Sequence, residues 1–540
     1  MRSVLTTVTG PKKHVLDTAY EWIRACDDGH EACKPRPLNP RPTRLISISG
    51  KVIHLELTET WTTVPRYATL SYCWGTLVFI KTTTSTLEDF LTEIPGDRLP
   101  QTFKDAIRIT RALKVGYIWI DSLCIVQDSD IDWRKESSRM GEIYGSSYIN
   151  LAASSATNPN QGCFTKPHYL RDSLQTNVTI LGQRYTAELR ALRDRDGYRL
   201  AVAGSHLLSR AWAIQEKLLP NRTIHFGDRG AFWECRKGIG SECFPEFKEG
   251  FIVSNLAMLT HDLADASKSD LNKRWYWIVD AYSDANLTKS RDKLPGLAGI
   301  ARHFSGYQQC EYLAGMWKDT TFEMQLCWST AALQVRPSWR APTWSWASVN
   351  SWILFAEFYI EDPHFTHTFY ARTLQASVTR VSDAVYGEVS DGWIRVACSY
   401  ILSGKVGSDL KFRPHEGQCT PFMISRDCMD DIDNRSDENV YVLPMILTMW
   451  GRVTRQTIGP RQRRVHGLVL QRTDGVFGEF RRIGSFSPNT FRESKGYGDR
   501  LVAEFFDLLH QKGAATAREV CSEVIEDEEH GTGGFVITIV

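Results

Sequence analysis

The order of apolar and polar positions predicts an alternating helix and strand core in the first half of the chain. Tyr67-Ala68-Thr69-Leu70-Ser71-Tyr72 is a β-rich run closed by Cys73-Trp74-Gly75, which reads as a strand and its turn. After Pro100-Gln101-Thr102, the residues Phe103, Ala106, Ile107 and Leu113 share one face, as a helix requires, with Thr102 and Asp105 as a capping box. Gly116 ends that helix. Tyr117-Ile118-Trp119-Ile120-Asp121 then supplies the near-continuous apolar run of a strand covered on both faces. Asp130 or Asp132 is placed to cap a second helix carrying Trp133, Glu136, Met140, Ile143 and Tyr144, and Tyr148 to Ala153 form a third strand. This β-α-β-α-β order, with right-handed crossovers, predicts an open parallel sheet whose ligand crevice lies at the carboxyl ends of its strands. Ser71, Tyr72 and Asp121 fall at that end.

Farther on, Ser209 to Leu219 reads as an amphipathic helix, and Thr223–Phe226 with Ala231–Cys235 as a hairpin across Gly227-Asp228-Arg229-Gly230. The predicted division is an N-terminal helical arm and proline-rich linker (1–60), an α/β core (61–240), a helix-rich, Trp-containing extension (241–349) and a mainly β C-terminal region (350–540). Within the arm, a short helix surrounds Trp22 and Ile23, and Pro35, Pro37, Pro40 and Pro42 follow it.

Charge and composition narrow the partners. Lys plus Arg number 64 against 63 Asp plus Glu, a net charge of +1, which removes the electrostatic attraction that non-specific nucleic-acid or anionic-membrane binding uses. No run of roughly 18 apolar residues occurs, and Met1 to Lys13 lacks the apolar core of a signal peptide. The expectation is a cytoplasmic protein with no membrane span and no nucleic-acid partner. Thirteen irregularly spaced cysteines then read mostly as free thiols.

The chain contains no phosphate loop, GxGxxG, HExxH or GxSxG signature. Cys26, His30 and Cys33 have metal-like spacing, but the sequence offers no evident fourth ligand; helix packing is the alternative and no metal is expected. Glu136 lies on the inward stripe of its helix, so it is either paired, protonated or open to a cleft. Glu216 shares a helix face with Trp212, Gln215 and Leu219, with Arg210 as the partner of a bracing pair; direct catalysis by Glu216 is the alternative. Asp121, at the end of a buried strand, either binds ligand hydroxyls or caps the next loop. Cys73 and Cys124 also follow strands but have no adjacent base, and Trp344 and Trp346 read as core residues on one strand face.

These stretches resemble the fungal heterokaryon-incompatibility (HET) domain family. The resemblance runs through Tyr67–Gly75, Leu99–Ala106 and Tyr117–Asp128, through the helix bearing Trp133, Glu136, Met140, Gly141, Ile143 and Tyr144, and through Ser209–Leu219; Asp292–Leu297 and Pro342–Ser348 resemble the extension of many members. It implies a trigger or effector of regulated cell death on non-self recognition, and a TIR-like, flavodoxin-like sheet that in some TIR proteins cleaves NAD. By that analogy Glu136 is the catalytic carboxylate, with Ser71, Tyr72, Asp121, Arg210 and Glu216 around the nucleotide. No cofactor is then required, NAD being a candidate substrate, and a protein partner or self-assembly is expected. The alternatives are a non-enzymatic allorecognition or scaffold module, and a HET-fold enzyme recruited to a fungal secondary-metabolite pathway.

Overall fold

The computed structural model describes residues 15–34, 41–164, 174–180, 183–189, 197–242, 244–249, 259–356, 364–416, 420–431, 439–453, 458–487, 497–525 and 534–540. Two units emerge, one of residues 1–262 with 298–303, the other of residues 263–297 with 304–540.

The first unit is a mixed α/β layer. Its strands are β1 (Arg44–Ser47), β2 (His54–Leu57), β3 (Tyr67–Ser71), β4 (Tyr117–Trp119), β5 (Ile149–Ala152), β6 (Leu174–Ile180), β7 (Gln183–Leu189), β8 (Arg222–Gly227), β9 (Gly230–Cys235), β10 (Gly238–Ser241) and β11 (Phe244–Glu249). A nine-stranded sheet runs β11-β10-β9-β8-β5-β3-β4-β1-β2, and β6 and β7 form a separate hairpin. The middle of the sheet is parallel, with β3 between β4 and β5 and β8 beyond β5. Every residue of β3, β5 and β8 is buried, as strands covered on both faces must be.

The open parallel sheet expected from the sequence is therefore corrected to a mixed one. Two-residue turns join only antiparallel strands, so β9 returns against β8, and β1 and β2, from the segment read as an entry arm, add an antiparallel edge beside β4.

The helices are α1 (Val15–Gly29), α2 (Leu87–Thr92), α3 (Gln101–Ala112), α4 (Asp121–Cys124), α5 (Asp130–Ser137), α6 (Met140–Gly145) and α7 (Ala211–Leu218). The single helix expected from Trp133 to Tyr144 is two, α5 and α6, separated at Ser138 and Arg139. Ser129, not an aspartate, caps α5: its side chain accepts the Asp132 backbone N–H. Nor do Thr102 and Asp105 form a capping box. They accept the backbone N–H groups of Gly162 and Cys163, at 3.1 and 2.9 Å, and so tie that loop to α3.

The second unit carries a long helix, Lys268–Asp284, within the stretch expected to be helix-rich, and is dominated by an eleven-stranded sheet. Its core contains Phe412, Phe422, Val442, Val469, Phe486 and Phe505. Trp344 and Trp346 are fully buried as expected, but Trp346 opens a short 3-10 turn rather than lying in a strand. Among the described residues no helix is long and apolar enough to cross a membrane.

Candidate functional site

The parallel strands deliver polar residues to their carboxyl ends. β3 ends in Ser71 and hands on to Tyr72, Cys73 and Trp74, and Gly75 turns the chain away at φ +60°, a conformation glycine adopts without strain. β4 leads through Ile120 to Asp121, whose Oδ1 accepts the Ser122 backbone N–H at 2.7 Å and whose Oδ2 accepts the Trp74 indole N–H at 2.8 Å. Of the two readings of Asp121, the contact with Ser122 is the one the fold displays: the side chain caps the following turn, at the strand ends. The Tyr72 hydroxyl donates to Ser122 Oγ at 2.9 Å.

Arg210 precedes α7 and donates to the Tyr72 carbonyl, so the start of α7 is fastened to the end of β3. Glu216 lies one and a half turns on, buried. Burial pushes its carboxyl up to about 7, against the Arg210 guanidinium, which pulls it down, and with the Asp121 charge, which raises it further; the Ser71 and Tyr144 hydroxyls nearby also lower it. Asn150 on β5 completes the link, donating to the Glu216 backbone carbonyl at 3.3 Å and accepting from Thr69 and Ser71 at 3.0 and 3.2 Å. Burial also raises the Asp121 carboxyl, and Trp74, Asp121 and Arg210 are half-buried where the cluster meets solvent. All five residues read as nucleotide-binding, Ser71, Tyr72, Asp121, Arg210 and Glu216, converge here.

A carboxyl raised by burial makes stability depend on pH with a defined sign. Between pH 4.5 and about 7 the folded state holds the Glu216 proton and the unfolded state does not, so the stability contributed by protonated Glu216 is full below pH 4.5 and is lost as pH rises through 7. The Glu216→Gln protein should lack this slope. Urea unfolding across that window should show wild type losing about 3 kcal/mol relative to the variant; a constant difference would refute the assignment.

Glu136 is inward-facing, as its stripe predicts, and wholly buried. One carboxylate oxygen accepts from the Thr43 hydroxyl, and Arg139 lies 3.9 Å away. Burial raises its carboxyl, opposed by the Thr43 hydrogen bond and the Arg44 charge. Arg44 is itself clamped to both Asp132 oxygens, at 2.6 and 3.1 Å, and to the Cys124 carbonyl at 2.8 Å. Glu136 thus joins a group at the β1 edge of the sheet rather than the Asp121–Arg210–Glu216 cluster. Burial raises the Cys73 and Cys124 thiols, which leaves both as thiols rather than nucleophilic thiolates.

Sequence reasoning missed a second buried network on the other face of α7. Lys217 pairs with Glu234, which also meets His225 Nε2 at 2.9 Å and the Tyr198 hydroxyl, and Ser154 Oγ lies 3.3 Å from His225 Nδ1. Burial drives the His225 imidazole well below its ordinary range and the Lys217 ammonium down to about 7. The readable signal was the hairpin: Thr223 pairs with Glu234, so His225, two residues along, shares its face.

Residues 67–216 match the family model described as "Heterokaryon incompatibility protein (HET)". No curated protein matches the chain, and no solved structure does. The match opens on the first residue of β3 and closes on Glu216, taking in every member of the strand-end cluster, and the chain therefore carries a heterokaryon incompatibility (HET) domain over these residues.

Proposed function

We propose that this chain is a cytoplasmic incompatibility effector that triggers cell death by binding and cleaving an NAD-type dinucleotide at the carboxyl ends of β3, β4 and β5. One observation carries this reading: two carboxyls, one guanidinium and the Ser71 and Tyr72 positions meet at the strand ends where open α/β sheets take their ligands. In this reading Glu216 is the acid that acts. Loss of nicotinamide leaves positive charge on the ribose, and a carboxylate beside it stabilises that charge, as carboxylates do in glycoside cleavage. Arg210 then holds the phosphates and Asp121 the ribose hydroxyls, while Glu136, bonded to Thr43, braces the β1 edge.

The test is to incubate the purified chain with NAD and record nicotinamide release and binding together. Glu216→Gln should lower the release rate about 100-fold or more, whereas Glu136→Gln should leave it within severalfold of wild type. If Glu136→Gln alone abolishes release, the acid has been misassigned; if wild type neither binds nor cleaves NAD, the reading fails. That last result would favour a non-enzymatic recognition module, a reading supported by Asp121, each of whose oxygens accepts a structural hydrogen bond, from Trp74 or Ser122.

A further inference from the structure

We propose that Cys26, His30, Cys33 and Cys235 bind one structural zinc ion. The sequence supplies three of these residues in one short segment. The fold supplies the fourth: Cys26 lies in the last turn of α1, His30 follows that helix, Cys33 closes the short 3-10 turn Glu31–Cys33, and Cys235 is the last residue of β9. All four are buried, and their ligand atoms lie within 4.8 Å of one another.

The spacing fits a tetrahedral ion. Zinc bonds of about 2.3 Å to sulfur and about 2.0 Å to nitrogen require S···S edges of about 3.8 Å and S···N edges of about 3.6 Å. Cys235 Sγ lies 3.6 Å from His30 Nδ1. Local backbone bonds preset the segment, since the His30 N–H donates to the Cys26 carbonyl at 3.0 Å and the Cys33 N–H to the His30 carbonyl at 3.1 Å.

The surroundings suit thiolates. Arg222 Nε donates to Cys26 Sγ at 3.2 Å, and the Lys237 backbone N–H points at Cys235 Sγ from 3.5 Å, in the turn just beyond the strand. Three thiolates and one imidazole around a divalent cation carry a net charge of −1, and the fully buried Arg222 guanidinium, shared with Asp27 at 2.7 Å, lies beside them as a counter-charge. Four protein ligands fill the tetrahedron, the mark of a structural rather than a catalytic ion. The other thiol and acid cluster, Cys428 with Asp430 and Asp431, lacks this character because Asp430 is exposed and Asp431 is committed to Arg336 at 2.7 Å.

The ligands lie outside residues 67–216, two short stretches on either side of the family match. The ion would therefore fasten α1 to the end of β9 and draw the first helix into the HET unit.

The decisive measurement is the metal content of the full chain, purified without chelator from zinc-supplemented medium. One zinc per chain is expected. After cobalt replacement, the near-ultraviolet thiolate-to-metal charge transfer and intense visible bands of a tetrahedral site should appear. Cys235→Ser should lose the metal, and His30→Cys, which conserves a four-ligand set, should retain it. Should Cys235→Ser fail to fold, the wild-type stoichiometry and cobalt spectrum still decide. Wild-type protein without zinc, whether its thiols are free or joined in a disulfide among these cysteines, would overturn the proposal, as would cobalt bound without thiolate charge transfer.

Discussion

Arg482→Met is expected to destabilise the second unit by about 3–5 kcal/mol, the range for leaving one partner of a buried ion pair without the other. Arg482 is fully buried, and its Nε and Nη2 reach the two Asp427 oxygens at 2.8 and 3.2 Å. It also donates to the carbonyls of Leu326 and Trp328, both at 2.6 Å, and its guanidinium lies 3.4 Å from the Trp328 ring centroid. Methionine fills much of the volume but supplies no donor, so a buried carboxylate and two carbonyls lose their partners at once. The effect should shrink in acid. Burial already raises the Asp427 carboxyl, and without Arg482 to pull it down it protonates at higher pH still, which neutralises the stranded charge. Chemical unfolding followed by tryptophan fluorescence at pH 5 and pH 8 measures both claims. A loss below about 1 kcal/mol, or a larger loss at pH 5 than at pH 8, would contradict this account of the pair.

Gly141→Ala and Gly299→Ala are each expected to destabilise the first unit by about 2–3 kcal/mol, against the direction of helix propensity. A Cβ on Gly141 would lie 2.4 Å from Gly299 Cα, and a Cβ on Gly299 would lie 2.5 Å from Gly141 Cα and 2.7 Å from Gln215 Oε1. The obstacle is backbone on both sides, so no side chain can rotate away and the helices must separate. Propensity alone would favour alanine by about 1 kcal/mol, which the clash outweighs. Gly306, on the same helix as Gly299, is the control: nothing lies within 4 Å of its added methyl, and Gly306→Ala should be neutral or stabilising. Comparing urea midpoints of the three variants tests the idea, and equal behaviour of Gly299→Ala and Gly306→Ala would sink it.

The strands of the HET unit were legible because burial on both faces leaves a near-continuous apolar run at β4, while β3 and β5 carry short β-rich runs between turn signals. The hairpin β8–β9 was legible from its glycines. Periodicity also gave the inward direction of Glu136 and Glu216, but it reports a face and never a partner. Glu136 meets Thr43 across 93 positions, and His30 approaches Cys235 across 205, separations that no local pattern encodes. The strand-end cluster was easier to read, since topology sends every carboxyl end of a parallel sheet to one edge, and Ser71, Tyr72 and Asp121 each stand at such an end. Helix interruption was not legible: Ser138 and Arg139 sit between α5 and α6 with no glycine or proline to announce the break.

In the eleven-stranded sheet, Val389–Cys398 pairs on one side with Ala371–Arg380 and on the other with Phe535–Ile539, which alone among the described strands joins that hairpin to Glu479–Phe486 and the rest of the sheet. Cys398 and Phe535 are 137 positions apart. At ribosomal speeds of about 5–20 residues per second, the inner edge of the hairpin waits on the order of ten seconds for its neighbour to be made. Throughout that interval the edge of Val389–Cys398 that Phe535–Ile539 later covers has unpaired backbone groups open to pairing with other chains.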